Sequence, residues 1–472
     1  MMKINMRYVL SLASTAALGG LLFGFDVAII TGAGPFIAKQ FALSDLGTGW
    51  AYSSLLFGCV LGALVAGKLA DRFGRRSLMI QIALLFVISS VAVAWSSNLA
   101  FFIAARFFGG IAVGGVSLLS PLYVAEVAPA SVRGRLGTLY QISIVFGIIV
   151  SYAIDYLLRN AGSGNWRWMF LTGIAPSLVF LVAMALAPET PRFLVLKGRV
   201  KEAFRVLERI SGPEEAHREI ADIQTTMHLA GIDKMQPKAS PWGAMLRPGV
   251  RRALLVSACL AVLIHISGIN TVIDYAPAIF ESAGWHTDSA LASTMVIGVI
   301  QFLFSLVSFW AIDRYGRKPL YIIGSIGMSL SVASLAIAVV LGRFHGNLVL
   351  VLILAYLAFF SSCIGPVFWT LVPELFPNDV RGTAMSVPVL IQWLANAGVV
   401  LVFPFAFHRA GKEATFGFLA LMSLAQAAFA WLCVPETKNR SLEEIEALFD
   451  TPQKDELKVA QLSDVRGENL GD

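Results

Sequence analysis

A short basic loop occurs twice in this chain, and each copy separates two long apolar stretches. Residues 71–76 read Asp-Arg-Phe-Gly-Arg-Arg, and residues 313–318 read Asp-Arg-Tyr-Gly-Arg-Lys. Two further motifs recur at nearly the same spacing: 126–134 with 374–382, and 188–190 with 435–437. The three offsets are 242, 248 and 247 residues, so the second half of the sequence restates the first. The repeat predicts two similar structural units within one chain.

The apolar stretches between these motifs are long enough to cross a membrane. The 472 residues are 57% hydrophobic and 14% charged, which is too apolar for a soluble domain. A bilayer core of about 30 Å requires about 20 apolar residues per helix. Twelve spans are therefore predicted, at 8–30, 49–70, 78–97, 101–124, 135–158, 168–187, 253–280, 291–312, 319–341, 347–372, 383–406 and 414–434. The predicted fold class is an all-α membrane protein with two pseudo-symmetric six-helix bundles in a lipid bilayer.

Lysine and arginine are distributed unevenly across the predicted spans. With an inner N-terminus, 29 of the 36 lysines and arginines fall inside, 6 fall outside, and Arg106 lies within a span. Because these residues resist translocation, both termini are predicted to be cytoplasmic. The net charge of +6 is therefore a property of the loops, and we expect no nucleic-acid partner. The four cysteines lie inside apolar runs without a CxxC pattern, so no metal or other cofactor is expected.

The repeat and the spans divide the chain into four segments. They are an N-terminal bundle at 1–190, a cytoplasmic helical linker at 191–252, a C-terminal bundle at 253–437 and a cytoplasmic tail at 438–472. Within the linker, the apolar spacing predicts one helix at 199–210, and Gly212-Pro213 predicts the start of a second. A separate catalytic domain is not expected in a segment this short.

Two charged side chains inside the predicted spans are candidates for proton coupling. Asp26 lies in the first span and Arg106 in the fourth. A charge at a helix centre costs roughly 2.5–3.5 kcal/mol on insertion scales, so it usually faces a partner or a cavity. The simplest arrangement pairs the two. Such a pair either fixes helix packing or, if it can separate, lets the acid gain and lose a proton.

Hydrogen-bonding side chains recur in the middle of other spans and suggest a polar solute. They are Gln141, His265, Asn270, Asp274, Gln392 and Asn396, with Trp369 after Gly365-Pro366. Amides both donate and accept hydrogen bonds, as hydroxyls do, and indole offers an apolar plate to a sugar ring. Interhelical hydrogen bonding explains any one of these residues. Amides in both halves favour a site for a polyhydroxylated solute.

Acidic residues accompany the basic loops in a pattern that topology alone does not explain. The candidates for a conformational lock at the cytoplasmic rim are Asp71, Arg75, Glu126, Arg133, Asp313, Arg317, Glu374 and Arg381. Their spacing favours ion pairs between helices that form in one conformation and break in another.

Together these residues resemble the sugar porter family of the major facilitator superfamily. The resemblance covers about residues 10–450 and rests on an ordered set of motifs. They are 71–76, 106–110, 126–135, 188–193, 267–270, 313–318, 365–369, 373–377, and 435–438 with 441–444. The resemblance implies the major facilitator fold, a central sugar site and alternating access.

The resemblance also implies roles for individual residues. Five positions match those that contact the sugar in the family: Gln141, Asn270, Trp369, Gln392 and Asn396. Asp26 matches the position that is acidic in bacterial proton symporters, and Arg106 matches its partner. The chain departs from the family at Ile264 and His265, where a Gln-Gln pair is usual, and at Asp274, where a tyrosine is frequent. These changes favour a cyclitol, polyol, modified sugar or amino-bearing solute, although local repacking explains them equally well.

The sequence therefore predicts a proton-coupled symporter of a sugar or sugar-like polyol, acting as a monomer in the bacterial inner membrane. An uncoupled facilitator is the main alternative. A sugar receptor would need a signalling extension longer than the tail after Pro435. An enzyme is not expected, because no nucleophile–base pair or metal-ligand cluster occurs in the spans. A drug exporter fits the amide-rich centre less well than a carrier of hydroxylated solutes.

Overall fold

The chain is almost entirely helical in the computed structural model, which describes residues 5–229, 247–376 and 384–438. Twelve helices in this part are long and apolar enough to cross a membrane. The first six spans are Met6–Gln40, Asp45–Phe73, Arg75–Ala94, Leu99–Val127, Leu139–Leu158 and Asn165–Leu186. The second six are Pro248–Asp274, Thr287–Ile312, Arg317–Val340, Gly346–Glu374, Ser386–Arg409 and Lys412–Cys433. The predicted fold class and number of spans are confirmed.

Several helices extend beyond their spans or divide them. The fifth span belongs to a helix at Ala130–Leu158, and the eighth to one at Thr287–Tyr315. The sixth consists of Asn165–Thr172 and Ile174–Leu186. The first helix continues to Gln40 instead of ending near residue 30, because Gly32, Ala33 and Gly34 remain buried against neighbouring helices.

Close approach of the second and fourth spans is set by small residues. A Cβ atom at Gly110 would lie 1.9 Å from the Leu55 carbonyl oxygen, and one at Gly114 would lie 2.2 Å from that of Cys59. No side chain fits in either place, so the two backbones pack directly on each other. The Gly110 and Gly114 spacing therefore serves helix packing.

Two spans in the second half are interrupted where the chain carries candidate site residues. The seventh is divided into Pro248–Ile266, Ile269–Asp274 and a following Ala276–Ser282. Gly268 has φ +93°, a conformation that favours glycine, and Leu419 leaves no room for a Cβ there. The tenth is divided into Gly346–Phe359, a π-helical turn at Phe360–Ile364, and Gly365–Glu374. Such interruptions are frequent at functional sites.

Three shorter helices follow the sixth span: Pro191–Leu196, Val200–Ser211 and Pro213–Leu229. They lie at the membrane end that carries the basic loops, which we call the basic-loop end; the other is the opposite end. The Asn5 N–H donates to the Ile210 carbonyl at 2.8 Å, so these helices contact the start of the first span. The two helices predicted for the linker correspond to Val200–Ser211 and Pro213–Leu229. Residues 230–246 of the linker and 439–472 of the tail lie outside the described residues.

Candidate functional site

The Asp26 and Arg106 side chains meet inside the first half. Arg106 Nη1 lies 2.9 Å from Asp26 Oδ1 and 3.0 Å from the Asp26 carbonyl oxygen. The guanidinium carbon also lies 5.2 Å from the centre of the Phe170 ring. The two side chains differ in exposure, 15% for Asp26 and 1% for Arg106. The acid therefore keeps some accessible surface, whereas the arginine is sealed inside the protein.

Gly109 makes room for this ion pair. A Cβ at Gly109 would lie 2.5 Å from Ser89 Oγ and 3.2 Å from Asp26 Oδ2. Ser89 instead donates its hydroxyl to the Ala105 carbonyl, at 2.9 Å. Arg106 Nε and Nη2 have no hydrogen-bond partner within the described residues. The arginine is therefore held mainly by Asp26 and becomes an uncompensated buried charge when that acid is neutral.

The predicted substrate-binding residues separate into an interior group and an exposed group. His265, Asp274, Gln392 and Asn396 are buried, at most 9% exposed, and Asn270 is partly buried. Gln141 and Trp369 are exposed. No hydrogen bond joins any two of these seven side chains in the described part of the chain.

Several polar atoms of this group are buried without a hydrogen-bond partner in the described part of the chain. Both ring nitrogens of His265, Oε1 of Gln392 and Nδ2 of Asn396 have no partner among the described residues. Gln392 and Asn396 lie one turn apart on the eleventh helix. The Trp393 ring, between them in sequence, lies 5.8 Å from the ring of Phe23 in the first half. The buried amides of the second half therefore lie near the boundary between the halves.

Asp274 connects electrostatically with the first half. The adjacent Tyr275 ring stacks on Tyr52 of the first half at 4.3 Å between centroids. The Asp274 carboxyl group lies within long-range electrostatic reach of Tyr52 and Arg106. Tyr275 donates its hydroxyl to the Val400 carbonyl at 3.1 Å. A second acid therefore lies within range of the arginine that pairs with Asp26.

The predicted lock residues form clusters within each half. Arg75 Nη2 lies 3.0 Å from Asp71 and 3.1 Å from Glu126. Arg317 Nη2 lies 3.0 Å from Glu374 in the corresponding cluster. The side chains of Arg133 and Asp313, and the whole of Arg381, lie outside the described part.

Two glutamates that the sequence analysis did not single out complete these clusters. Glu189 accepts the N–H groups of Arg75 and Arg76, at 3.0 and 3.1 Å. Glu436 accepts those of Arg317 and Lys318, at 3.1 and 3.0 Å. Each acid thus supplies acceptors to the first turn of a helix, where backbone N–H groups lack partners. Both glutamates belong to the repeated Pro-Glu-Thr motif, which could have indicated their importance. The backbone groups that they bind lie more than a hundred residues away in sequence.

The ion pairs that join the two halves lie at the opposite end. In the part of the chain that the structure describes, Arg159 contacts Asp288 at 2.8 Å and His408 contacts Asp45 at 2.6 Å. The backbone of Gly49 packs on the Leu401 carbonyl. The Tyr52–Tyr275 stack lies deeper in the same interface. The described contacts therefore close the opposite end, while the described ion pairs of the basic-loop end stay within one half.

The sequence analysis also missed Asp155, an acid inside the fifth span. Its side chain is fully buried beside Gly32 of the first span. Its position inside an apolar stretch was a sufficient signal. Among the described residues, no group of three or more His, Cys, Asp or Glu side chains is arranged to hold a metal ion.

Comparison with known proteins places this geometry in a family. The profile of the sugar (and other) transporter family matches residues 12–449. The chain belongs to the sugar (and other) transporter family. The D-xylose–proton symporter of Escherichia coli K12 is 35% identical, with 98% of this chain and 99% of that protein covered. The arabinose–proton symporter of Bacillus subtilis strain 168 is 34% identical, with coverages of 94% and 96%.

Solved structures support the same assignment for this transporter. The partially occluded, inward-open xylose transporter XylE from E. coli superposes with a TM-score of 0.81. It is 33% identical, and 92% of this chain and all of that chain are covered. XylE bound to 6-bromo-6-deoxy-D-glucose gives a TM-score of 0.77 at 34% identity, with coverages of 94% and 100%. The family resemblance inferred from the sequence motifs is confirmed.

Proposed function

We propose that this transporter is a symporter that couples proton entry to the uptake of a sugar or sugar-like polyol. The observation that carries the proposal is the Asp26–Arg106 pair, a partly exposed acid against a sealed arginine. Relatives over nearly the whole chain are named as sugar–proton symporters. The protein acts as a monomer in the bacterial inner membrane, because a single chain supplies both halves of the site.

The basic loops and both termini face the cytoplasm in this proposal, following the distribution of lysine and arginine. The contacts at the opposite end then close the outer side, and the described conformation faces inward. The similarity to inward-open XylE supports this orientation. Segments 1–190 and 253–437 move as two bundles, 191–252 links them, and 438–472 forms a cytoplasmic tail.

The coupling step follows from the ion pair. In the outward-facing state Asp26 takes up a proton and loses its attraction for Arg106. Arg106 then reorients within electrostatic range of Asp274, next to the bound solute. The bundles rock, and inner water reaches Asp26, which releases the proton as the solute leaves. The solute changes compartment without chemical conversion.

The lock residues set the direction of this movement. The clusters around Arg75 and Arg317 hold the helix ends of each half in shape at the cytoplasmic rim. We propose that the same charges, with Arg133, Asp313 and Arg381, meet across the rim when the outer side opens. The ion pairs between the halves would then alternate between the two membrane faces.

Replacing Asp26 by asparagine tests the coupling. One proton, driven by about 100 mV and one pH unit, supports roughly 500-fold accumulation of a neutral solute. Asp26→Asn removes the titrating group while keeping its shape, so uphill accumulation falls to equilibration and solute exchange is partly retained. Radiolabelled uptake and counterflow in proteoliposomes measure both quantities.

An uncoupled facilitator gives the opposite results. In that case Asp26→Asn leaves the final accumulation unchanged, and the wild-type protein moves no net charge with the solute. Current measured on a solid-supported membrane after a solute jump distinguishes the two functions. A solute-dependent current in the wild-type protein that is absent from Asp26→Asn supports symport.

The composition of the buried interior favours a solute other than an ordinary pentose or hexose. His265 and Asp274 are buried side chains that add an imidazole and a carboxylate to the interior. Neither His265 nitrogen has a hydrogen-bond partner within the described residues. A cyclitol, a modified sugar or an amino-bearing polyol would use these groups. A thermal-shift and uptake screen of pentoses, hexoses, polyols and cyclitols identifies the solute class.

A further inference from the structure

Asp155 is a buried acid outside the Asp26–Arg106 pair. It lies near the outer end of the fifth span, and its side chain is 0% exposed. Asp155 faces Gly32 on the first span. A Cβ atom at Gly32 would lie 2.4 Å from both the Cβ and the carboxyl carbon of Asp155. The first span therefore packs its bare backbone on this carboxyl group. Gly32 follows Asp26 by six residues, a rise of about 9 Å toward the outer face.

The contacts of Asp155 do not compensate a negative charge. Oδ2 accepts the Gly32 N–H at 3.2 Å, and Oδ1 has no hydrogen-bond partner within the described residues. No ion pair of the described side chains includes this acid. A buried carboxylate without a cation is strongly disfavoured relative to its neutral form. The carboxyl group of Asp155 therefore carries a proton in this conformation.

The other polar groups around Asp155 are neutral or already engaged. Tyr152 lies one turn before it on the same helix, and Tyr52 of the second span packs against Gly34, two residues from Gly32. Asp274 of the seventh span lies within electrostatic range of both tyrosines. Thr31 of the first span lies beside Tyr152. The nearest cation along the fifth helix, Arg159, is one turn further out and is bound to Asp288 of the eighth span. None of these groups neutralises an ionised Asp155.

Two tyrosines near Asp155 belong to the closed outer interface. Tyr52 stacks on Tyr275 of the second half. Tyr152 packs on Gly298 of the eighth span, where a Cβ would lie 3.1 Å from the tyrosine ring. The two tyrosines next to Asp155 are thus the residues that contact the other half. When the halves separate at this end, both tyrosines lose those contacts and water can reach the acid.

We infer that Asp155 is a second proton-binding site, which must be protonated for the outer side of the transporter to close. The site exchanges its proton with the external medium while the outer side is open, and it holds that proton in the inward-facing state. An ionised Asp155 keeps the outer side hydrated and open. This inference rests on the proposed alternating access, but its proton can be detected without any transport measurement.

Infrared spectroscopy of purified protein in lipid tests the bound proton directly. The test compares Asp26→Asn with Asp26→Asn/Asp155→Asn, so that Asp26 does not contribute. At neutral pH we expect the carbonyl-stretch band of a protonated carboxylic acid in the first protein, and loss of part of that band in the second. Identical carboxylic-acid bands in the two proteins would overturn the inference, whether or not sugar is transported.

Counterflow at varied external pH tests the role of the proton. In Asp26→Asn proteoliposomes we expect solute exchange to fall as the external pH rises, because ionised Asp155 prevents closure. The double variant should lose this fall, since asparagine cannot ionise. Glu413→Gln, the same chemical change at an exposed acid of the outer end, should keep it in the Asp26→Asn background.

Two results separate failure of this inference from failure of the proposed function. If Asp26→Asn and the double variant show the same external pH dependence, Asp155 is not the group that controls closure. If wild-type protein transports no sugar or polyol, the proposed function fails. The infrared spectra still show whether Asp155 carries a proton. Should the double variant not fold, an infrared pH titration of Asp26→Asn alone must show a carboxylic acid at neutral pH for the inference to stand.

Discussion

At the scale of single residues, the proposed solute site includes two unusual side chains in the interior of the second half. His265 and Asp274 lie on separate pieces of the interrupted seventh span, on either side of Gly268. The interruption lets the two side chains adopt directions that a continuous helix would not give them. A carboxylate and an imidazole bind hydroxyl and amino groups differently from the amides and aromatic ring usual in the family.

Substitution at these two positions should change solute selection. A hydrogen bond between neutral groups contributes about 0.5–1.5 kcal/mol, equivalent to a change in affinity of about two- to tenfold. We expect His265→Gln and Asp274→Tyr to weaken binding of the preferred solute by that factor. Both variants should bind ordinary pentoses or hexoses more tightly. Competition counterflow measures both effects, with Asp274→Asn as the isosteric control. An unchanged ranking of solutes in both variants would assign these residues to local packing.

The sequence was most informative about isolated charges. Desolvation cost alone predicted that Asp26 and Arg106 would meet, and the structure places them 2.9 Å apart. The same argument applies to Asp155, an acid inside the fifth span, which was missed. The Tyr52–Tyr275 stack could not be predicted, since it depends on which conformation brings the two halves together.

At the scale of helices, the two halves use the same device to hold the third and ninth spans. Glu189 and Glu436 each accept two backbone N–H groups at the start of a helix that follows a basic loop. Gly74 and Gly316 precede these helices with φ +98° and +92°. The equivalent geometry explains why the Pro-Glu-Thr motif recurs with the loop motif.

Removing either glutamate should destabilise its half by a similar amount. Charge-assisted hydrogen bonds contribute about 1.5–3 kcal/mol each, and an alanine leaves both N–H groups without these acceptors. We expect Glu189→Ala and Glu436→Ala to lower the thermal unfolding midpoint in detergent to a comparable extent. Glu413→Ala removes an exposed acid in the first turn of the twelfth span that accepts no backbone N–H pair among the described residues, and it should lower the midpoint far less. A large effect at one glutamate only would show that the two clusters are not equivalent.

Helix positions were predictable from hydrophobicity, whereas helix interruptions were only partly so. Gly268 and Pro277 are residues that disfavour a continuous helix, and the structure divides the seventh span at Gly268 and Tyr275. The π-helical turn at 360–364 has no comparable signal before Gly365-Pro366. It depends on packing against the eighth and ninth spans, which local sequence does not encode.

At the scale of the whole molecule, the contacts between the halves are concentrated at one membrane end. Two ion pairs and one aromatic stack join the halves there. The ion pairs have exposed partners and contribute little, whereas the tyrosines are buried. The stack is therefore expected to affect the balance between inward-facing and outward-facing states more than the two ion pairs do.

Breaking the stack should shift that balance outward. An aromatic pair contributes about 0.5–1.5 kcal/mol beyond burial, which corresponds to a shift of about two- to tenfold in population. We expect Tyr52→Leu and Tyr275→Leu each to increase the outward-facing fraction, and the double variant to add little more. Distances between spin labels at the outer ends of the second and eleventh spans measure the populations.

A ring pair within one half provides the control. Phe344 and Phe416 lie 6.0 Å apart in the second half, and Phe344→Leu makes the same kind of change without affecting the contact between halves. Its distance distribution should match the wild-type protein. Full additivity of the two tyrosine variants would mean that the rings act separately.

The break at Gly268 has a consequence for the order of events during a transport cycle. The short segment beyond it, Ala276–Ser282, is not continuous with Pro248–Ile266 and begins beside Tyr275. This segment would be able to tilt toward a bound solute while the rest of the second bundle keeps its position. Trapping of the cargo would then precede the larger swing of the bundles, so an occluded intermediate should be long-lived enough to isolate with a tightly held ligand.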